Sequence, residues 1–237
     1  MTWAALHAVL RADGLIRADD ASRADASEAV VTAITYDSRR AESGHLFVAL
    51  KGLHADGTTY ARQAIERGAV GVVSEQPAPA GTGVPWIVVA NARRALAILA
   101  DAFLGHPSRD MQVVGITGTN GKTTTAFLMA SIFEAANVRC GVLGTVGYRI
   151  GEEIREATHT TPEAPEVQGL LREMRDRGCG ACAMEVSSHA LSLHRVDGIK
   201  FAAVIRNIAT KHHLHPHQPR KLQIGRASCR ERVFRTV

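Results

Sequence analysis

The sequence predicts an α/β protein, with an N-terminal α/β unit followed by a P-loop unit, each around a mostly parallel sheet. Two observations carry that expectation. Apolar, β-rich runs alternate with helical patterns along residues 1–208, and strands separated by helices pair in parallel with both faces covered. The breaker Gly105-His106-Pro107-Ser108 then divides the series, and a Gly-rich turn carrying Lys and Thr opens the second half. The expected divisions are 1–106, 107–217 and a tail, 218–237.

In chain order, Thr2 caps a short helix to about Arg11. Ala29–Tyr36 and His45–Leu50 read as strands, Tyr60–Arg67 as a helix, Ala69–Ser74 and Pro85–Ala90 as strands, and Asn91–Leu104 as an Ala/Leu-rich helix. In the second unit the strands are Gln112–Ile116, Cys140–Leu143, Ala181–Val186 and Phe201–Ile205, with helices at Thr123–Ala136 and Pro165–Arg177. Four strands are few for a nucleotide-binding core, so the central unit reads as incomplete, with apolar faces of Ala181–Val186 and Phe201–Ile205 open to solvent.

A length of 237 residues suits one large domain or two ordinary ones. No apolar run approaches the ~20 residues of a membrane span. The start, Met1 to His7, lacks the basic-then-apolar layout of a secretion signal. The net charge of +5 comes from the end of the chain: seven of the 28 basic residues and one of the 23 acids lie from Lys211 on, leaving residues 1–210 at −1. No basic face is implied for the folded part. The expectation is a cytoplasmic protein without nucleic-acid or membrane partners.

The informative stretch is Thr117-Gly118-Thr119-Asn120-Gly121-Lys122-Thr123-Thr124-Thr125, between the strand Val113–Ile116 and the helical pattern from Ala126. A Gly-rich turn there points backbone N–H groups and the positive end of a helix at one spot, which suits phosphate oxygens. Lys122 would reach the β/γ-phosphates and the Thr123 hydroxyl would ligate Mg²⁺. Ile116 stands where the strict motif has its first Gly. Glu185, at the C-terminal end of a core strand, could complete the Mg²⁺ shell; otherwise it is a solvated strand-end acid.

Two weaker signals have blander readings. Glu185 and His189 are four residues apart, a spacing that holds a transition metal when both lie on one helix. Cys179 and Cys182 form a CxxC, but the pair leads into a strand and no second pair completes a zinc site, so core thiols are expected.

Glu185-Val186-Ser187-Ser188-His189 and Thr160-Thr161-Pro162-Glu163, together with the loop Thr117–Thr125, resemble the Mur ligases, ATP-dependent amide-forming enzymes of peptidoglycan synthesis. Within the family they are most similar to the members that add the third amino acid, 2,6-diaminopimelate or L-lysine, to UDP-N-acetylmuramoyl-L-alanyl-D-glutamate. Tyr36-Asp37-Ser38-Arg39, Gly44 to Ala49 and His54-Ala55-Asp56-Gly57 resemble that family's UDP-binding domain.

The resemblance implies a UDP-substrate-binding first domain, an ATP-binding central domain and a monomer using ATP and Mg²⁺. Tyr36, Ser38, Leu53, His54 and Ala55 would line the uridine pocket. Gly118, Thr119, Asn120, Gly121, Lys122, Thr123, Thr124 and Asn207 would hold ATP. His159, Thr160, Thr161, Ser187 and Arg195 would hold the muramoyl-dipeptide, Arg195 by a two-point grip on a carboxylate or phosphate. Thr123, Glu185 and His213 would ligate the metal, and Lys122, Glu185 and His213 would be catalytic. The substrate carboxylate would attack the γ-phosphate, and an amine would displace phosphate from the acyl phosphate.

Past Ile208 the similarity decays. His212 and His215 stand where the family has acids, while His213, Leu214 and His217 fit. Gln223 to Val233 has no hydrophobic period and resembles the translation of a sequencing adapter, so residues from about 218 are left out of fold reasoning. The expectation is a fragment that does not ligate. The alternatives are the sibling ligase that adds D-Ala-D-Ala and a nucleotide-binding module without catalysis.

Overall fold

The computed structural model describes residues 1–19, 28–52, 56–207 and 233–235. It divides into two compact units, Met1–Gly105 and His106–Val237.

The first unit begins with α1 (Trp3–Ala12), whose N-cap Thr2 accepts from the Ala5 N–H at 3.2 Å. Strands β1 (Ile16–Asp19), β2 (Ala33–Thr35), β3 (His45–Val48), β4 (Gly71–Ser74) and β5 (Trp86–Val89) form one sheet in the order β1-β5-β4-β3-β2. All neighbours are parallel except β1, which runs antiparallel to β5. Helices α2 (Ala61–Glu66) and α3 (Ala92–Phe103) complete it, Asn91 capping α3 through the Arg94 N–H.

Period-two alternation sends the strand side chains to opposite faces. Leu46, Val48, Val73, Ile87 and Val89 join Leu6 and Leu10 of α1 and Leu96 and Leu99 of α3, whereas Phe47, Val72 and Trp86 meet Ala61 and Ala64 of α2. Leu10 and Leu99 are fully buried, so trimming either to Ala would cost ~2–5 kcal/mol.

The second unit holds β6 (Gln112–Gly118), α4 (Lys122–Ala135), β7 (Cys140–Leu143), β8 (Tyr148–Ile150), β9 (Glu153–Arg155), α5 (Ala164–Asp176), β10 (Ala181–Glu185), α6 (Ser188–Ser192), β11 (Phe201–Asn207) and β12 (Val233–Arg235). The sheet order is β12-β11-β6-β10-β7-β8-β9, parallel as far as β7 and antiparallel at β8 and β9. Val114, Ile116, Val142, Ala181 and Ala183 pack under Ala126 and Ala130 of α4; Val113, Leu143, Cys182 and Met184 pack under Val167, Leu171 and Met174 of α5.

Three expectations are corrected. Ala181–Val186 is not open to solvent: β10 lies between β6 and β7, and all six residues are buried. β11 is half-buried, and α4 carries the exposed apolar side chains Phe127, Leu128 and Ile132. The sheet has more than four strands, because a β8–β9 hairpin extends one edge and residues 233–235, set aside on sequence, pair with β11 at the other. Among the described residues no helix is long and apolar enough to cross a membrane.

Candidate nucleotide and metal site

β6 continues two residues past Ile116 before the loop turns, and α4 starts at Lys122 with Gly121 (φ 76°) as its N-cap. No side chain caps that helix end, so its first N–H groups face the loop. Gly118 (φ 137°) has no room for a side chain unless its neighbours shift, since a Cβ there would run into the carbonyl of Asn207 on β11. Asn207 closes the loop from that side and donates through Nδ2 to Thr125 Oγ1 at 2.9 Å. Lys122 folds back so that Nζ donates to the Gly118 carbonyl at 2.9 Å, and Thr119, Asn120 and Thr124 are exposed.

Glu185 ends β10, beside β6 and in register with Ile116. It is 1% exposed, and its carboxylate accepts from Thr123 Oγ1 (2.9 Å), the Thr145 N–H (3.0 Å) and Thr145 Oγ1 (3.3 Å). Gly144 lets the backbone come this close, since a Cβ there would overlap Glu185 Oε1. All three donors are neutral, and no described side chain forms an ion pair with Glu185. A buried carboxylate without a cation is costly. A divalent cation answers that cost: the 2.9 Å between Thr123 Oγ1 and Glu185 Oε1 matches two adjacent ligands of an Mg²⁺ octahedron with ~2.0–2.1 Å bonds. His213, the third expected ligand, lies outside the described residues.

A second network adjoins the first. Thr161 Oγ1 donates to the Glu185 carbonyl at 2.9 Å and accepts from the Ser187 N–H, while Ser187 Oγ caps α6 by accepting from the Ala190 N–H. Thr160 Oγ1 lies 3.1 Å from Thr145 Oγ1. His159 is held by its backbone, its carbonyl accepting from Tyr148 Oη at 2.6 Å. The Arg195 fork is already engaged, by the Thr161 carbonyl at 2.9 Å and Glu163 at 2.7 Å. In this structure Arg195 braces the Thr160–Glu163 loop. The phosphate loop, Glu185, Thr160, Thr161, Ser187 and Arg195 thus form one neighbourhood, which Thr145, Gly144, Tyr148 and Glu163 also build. Sequence reading missed these four as site residues.

Glu185 and His189 do not share a helix, the first ending β10 and the second lying in α6, so the helical metal pair is not formed. Among the described residues no group of three or more His, Cys, Asp or Glu is placed to hold a metal. Cys140, Cys179 and Cys182 are free and buried, and burial pushes the Cys140 thiol up to about 11 and the Cys182 thiol up as well.

In the first unit, Tyr36 is half-buried against the core and Ser38 Oγ donates to Gln63 Oε1 at 2.7 Å. Between them Asp37 is held at about 2, chiefly by its hydrogen bond from the Arg39 side chain. Leu53, His54 and Ala55 lie outside the described residues.

A strand, a Gly-rich loop with Lys and Thr, and a carboxylate at the end of the adjacent strand define the P-loop class of α/β proteins. Residues 30–104 match the Mur ligase family catalytic domain, and residues 116–221 match the Mur ligase middle domain. The chain belongs to the Mur ligase family. It is 48% identical over 192 residues to a UDP-N-acetylmuramyl-tripeptide synthetase of Roseiflexus sp. (strain RS-1), covering 79% of this chain and 38% of that protein. It is 46% identical over 189 residues to the UDP-N-acetylmuramoyl-L-alanyl-D-glutamate–2,6-diaminopimelate ligase of Geobacter sulfurreducens, covering 80% and 37%. A solved structure of a ligase of that second name superposes with a TM-score of 0.67 at 27% identity, covering 79% of this chain and 38% of the other. The chain therefore spans less than two-fifths of the length of these relatives.

Proposed function

We propose that this chain carries the ATP and UDP-muramoyl-dipeptide sites of a ligase that adds the third amino acid, meso-diaminopimelate, to UDP-N-acetylmuramoyl-L-alanyl-D-glutamate. The observation that carries the reading is the buried Glu185 carboxylate, 2.9 Å from the phosphate-loop Thr123 and paired with no Lys, Arg or His side chain among the described residues. The named relatives supply the choice of reaction within the family.

The chemistry follows from placement. Gly118 to Thr124 cradle the ATP phosphates on α4's uncapped N-terminus, and Lys122 leaves the Gly118 carbonyl to meet the β- and γ-phosphates. Bound Mg²⁺ neutralises charge that develops on the transferring phosphoryl group. Thr123 and Glu185 offer it two oxygens, with Asn207 beside the loop. Thr160, Thr161 and Ser187, braced by Arg195 and following His159, hold the dipeptide so that its D-glutamyl carboxylate faces the γ-phosphate. Attack gives an acyl phosphate and ADP, and the incoming amine displaces phosphate to leave the amide. Catalysis is mostly positioning and electrostatics. Tyr36 and Ser38, with Leu53, His54 and Ala55, are assigned to the uridine end.

The test is calorimetry on the 237-residue chain with a non-hydrolysable ATP analogue and Mg²⁺, then with the UDP-muramoyl-dipeptide. Both should bind, the dipeptide at least tenfold more tightly than the UDP-muramoyl-tripeptide. Lys122→Ala should lose ATP affinity by an order of magnitude or more while keeping its circular dichroism, because one charged donor serves the phosphates. A chain that binds no nucleotide defeats the reading. Preference for the tripeptide moves it to the sibling that adds D-alanyl-D-alanine.

A further inference from the structure

Resting on that reading, we infer that Thr145 is a positioning residue: it holds the Glu185 carboxylate in its metal-binding pose and ties it to the dipeptide loop. Thr145 follows β7 in the turn Gly144-Thr145-Val146-Gly147 and is itself exposed. It grips both oxygens of Glu185, Oε1 by its backbone N–H at 3.0 Å and Oε2 by its hydroxyl at 3.3 Å. The Thr123 hydroxyl also reaches Oε1, whereas Oε2 has Thr145 Oγ1 alone among the described residues.

Proton bookkeeping gives the network a direction. An ionised carboxylate only accepts, so the single hydroxyl proton of Thr145 is committed to Oε2. In the 3.1 Å contact with Thr160, Thr145 must then accept and Thr160 donate. The sequence Thr160 → Thr145 → Glu185 leaves the Thr160 oxygen able to accept from a donor on the bound dipeptide. Partners behind a metal ligand fix its orientation, and their loss commonly costs metal affinity. Without the hydroxyl, Oε2 is buried with no partner and the carboxylate can turn about its last torsion.

The test compares Thr145→Val, which keeps shape and the backbone N–H, with Thr145→Ser, which keeps the hydroxyl. A fluorescent ATP analogue is titrated into each with excess chelator, and again as Mg²⁺ is raised. For Thr145→Val the Mg²⁺ concentration giving half of the metal-dependent gain in affinity should rise roughly 10- to 100-fold, as expected for losing a hydrogen bond to a carboxylate that holds the metal. Its metal-free affinity should match the parent, and Thr145→Ser should recover most of the loss. An unchanged Mg²⁺ midpoint in Thr145→Val overturns the inference while the functional reading stands. An equal loss with and without metal, unrescued by Ser, makes Thr145 a structural residue and also overturns it. If the parent chain shows no Mg²⁺-dependent binding, the functional reading falls first and this inference with it.

Discussion

Gly118 is where the phosphate loop and the sheet compete for the same space. Its φ of 137° lies where side chains are strained, and its α-carbon faces the Asn207 carbonyl. Gly118→Ala should therefore destabilise the chain by about 1–3 kcal/mol, and relief requires β6 and β11 to part, which displaces Asn207. Urea unfolding measures the cost; an unchanged midpoint would show that the loop relaxes freely. Lys122 and Thr123 were legible at this scale because a phosphate loop needs a cation and a hydroxyl at fixed offsets from its glycines. Glu185 was legible because it stands at the C-terminal end of an apolar core strand, where open α/β sheets bind their ligands. Thr145 was not: Gly144-Thr145-Val146-Gly147 signals a turn, and only the fold brings that turn to Glu185.

At the scale of elements, the long periodic helices and the short buried apolar strands, such as β7 at Cys140–Leu143, were readable, and the three-residue strands of the hairpin were not. α4 and α5 fall within one residue of expectation, since their buried faces recur at helical spacing. β8 and β9 have three residues each, too few for a period to register, and are held by pairing and by ions. Glu153 on β9 accepts from Arg155 (2.5 Å) and from Arg177 beyond α5 (2.6 Å), and Arg155 also reaches Glu173 of α5. β2 is shorter than read because Val30 and Val31 pair instead with Thr2 and Met1 at the chain's start.

The hairpin's ion pairs carry a pH signature. Hydrogen bonds from Arg155 and Arg177 hold Glu153 at about 2, against an ordinary 4.5. A carboxyl depressed in the folded state stabilises above its unfolded pKa and loses that contribution as pH falls toward the folded one. The window is therefore about pH 4.5 down to about 2. Glu153→Gln should flatten the fall of melting temperature between those limits and change little in the slope above pH 5. Parallel acid limbs for parent and variant would show that solvent already screens these exposed pairs.

For the whole molecule, the question is whether each unit folds on its own. The first has its own five-stranded sheet and two cores, one against α1 and α3 and the other against α2. Among the described residues, every strand neighbour and helix cap it uses comes from residues 1–105. Residues 1–105 expressed alone should therefore unfold cooperatively in urea, with a slope of ~1–3 kcal/mol per molar as for other small domains. Calorimetry should show that this piece binds UDP without ATP, and that Ser38→Ala weakens the binding. The Ser38 hydroxyl is tied to Gln63, so its loss would also free a partner at the proposed pocket. The two readouts separate two failures. A piece that melts without cooperativity would show that the first unit depends on the second, and the division at Gly105 would describe geometry and not folding. A piece that folds cooperatively and releases no heat with UDP would remove the uridine pocket from Tyr36, Ser38 and the segment Leu53 to Ala55, leaving the phosphate loop's assignment untouched.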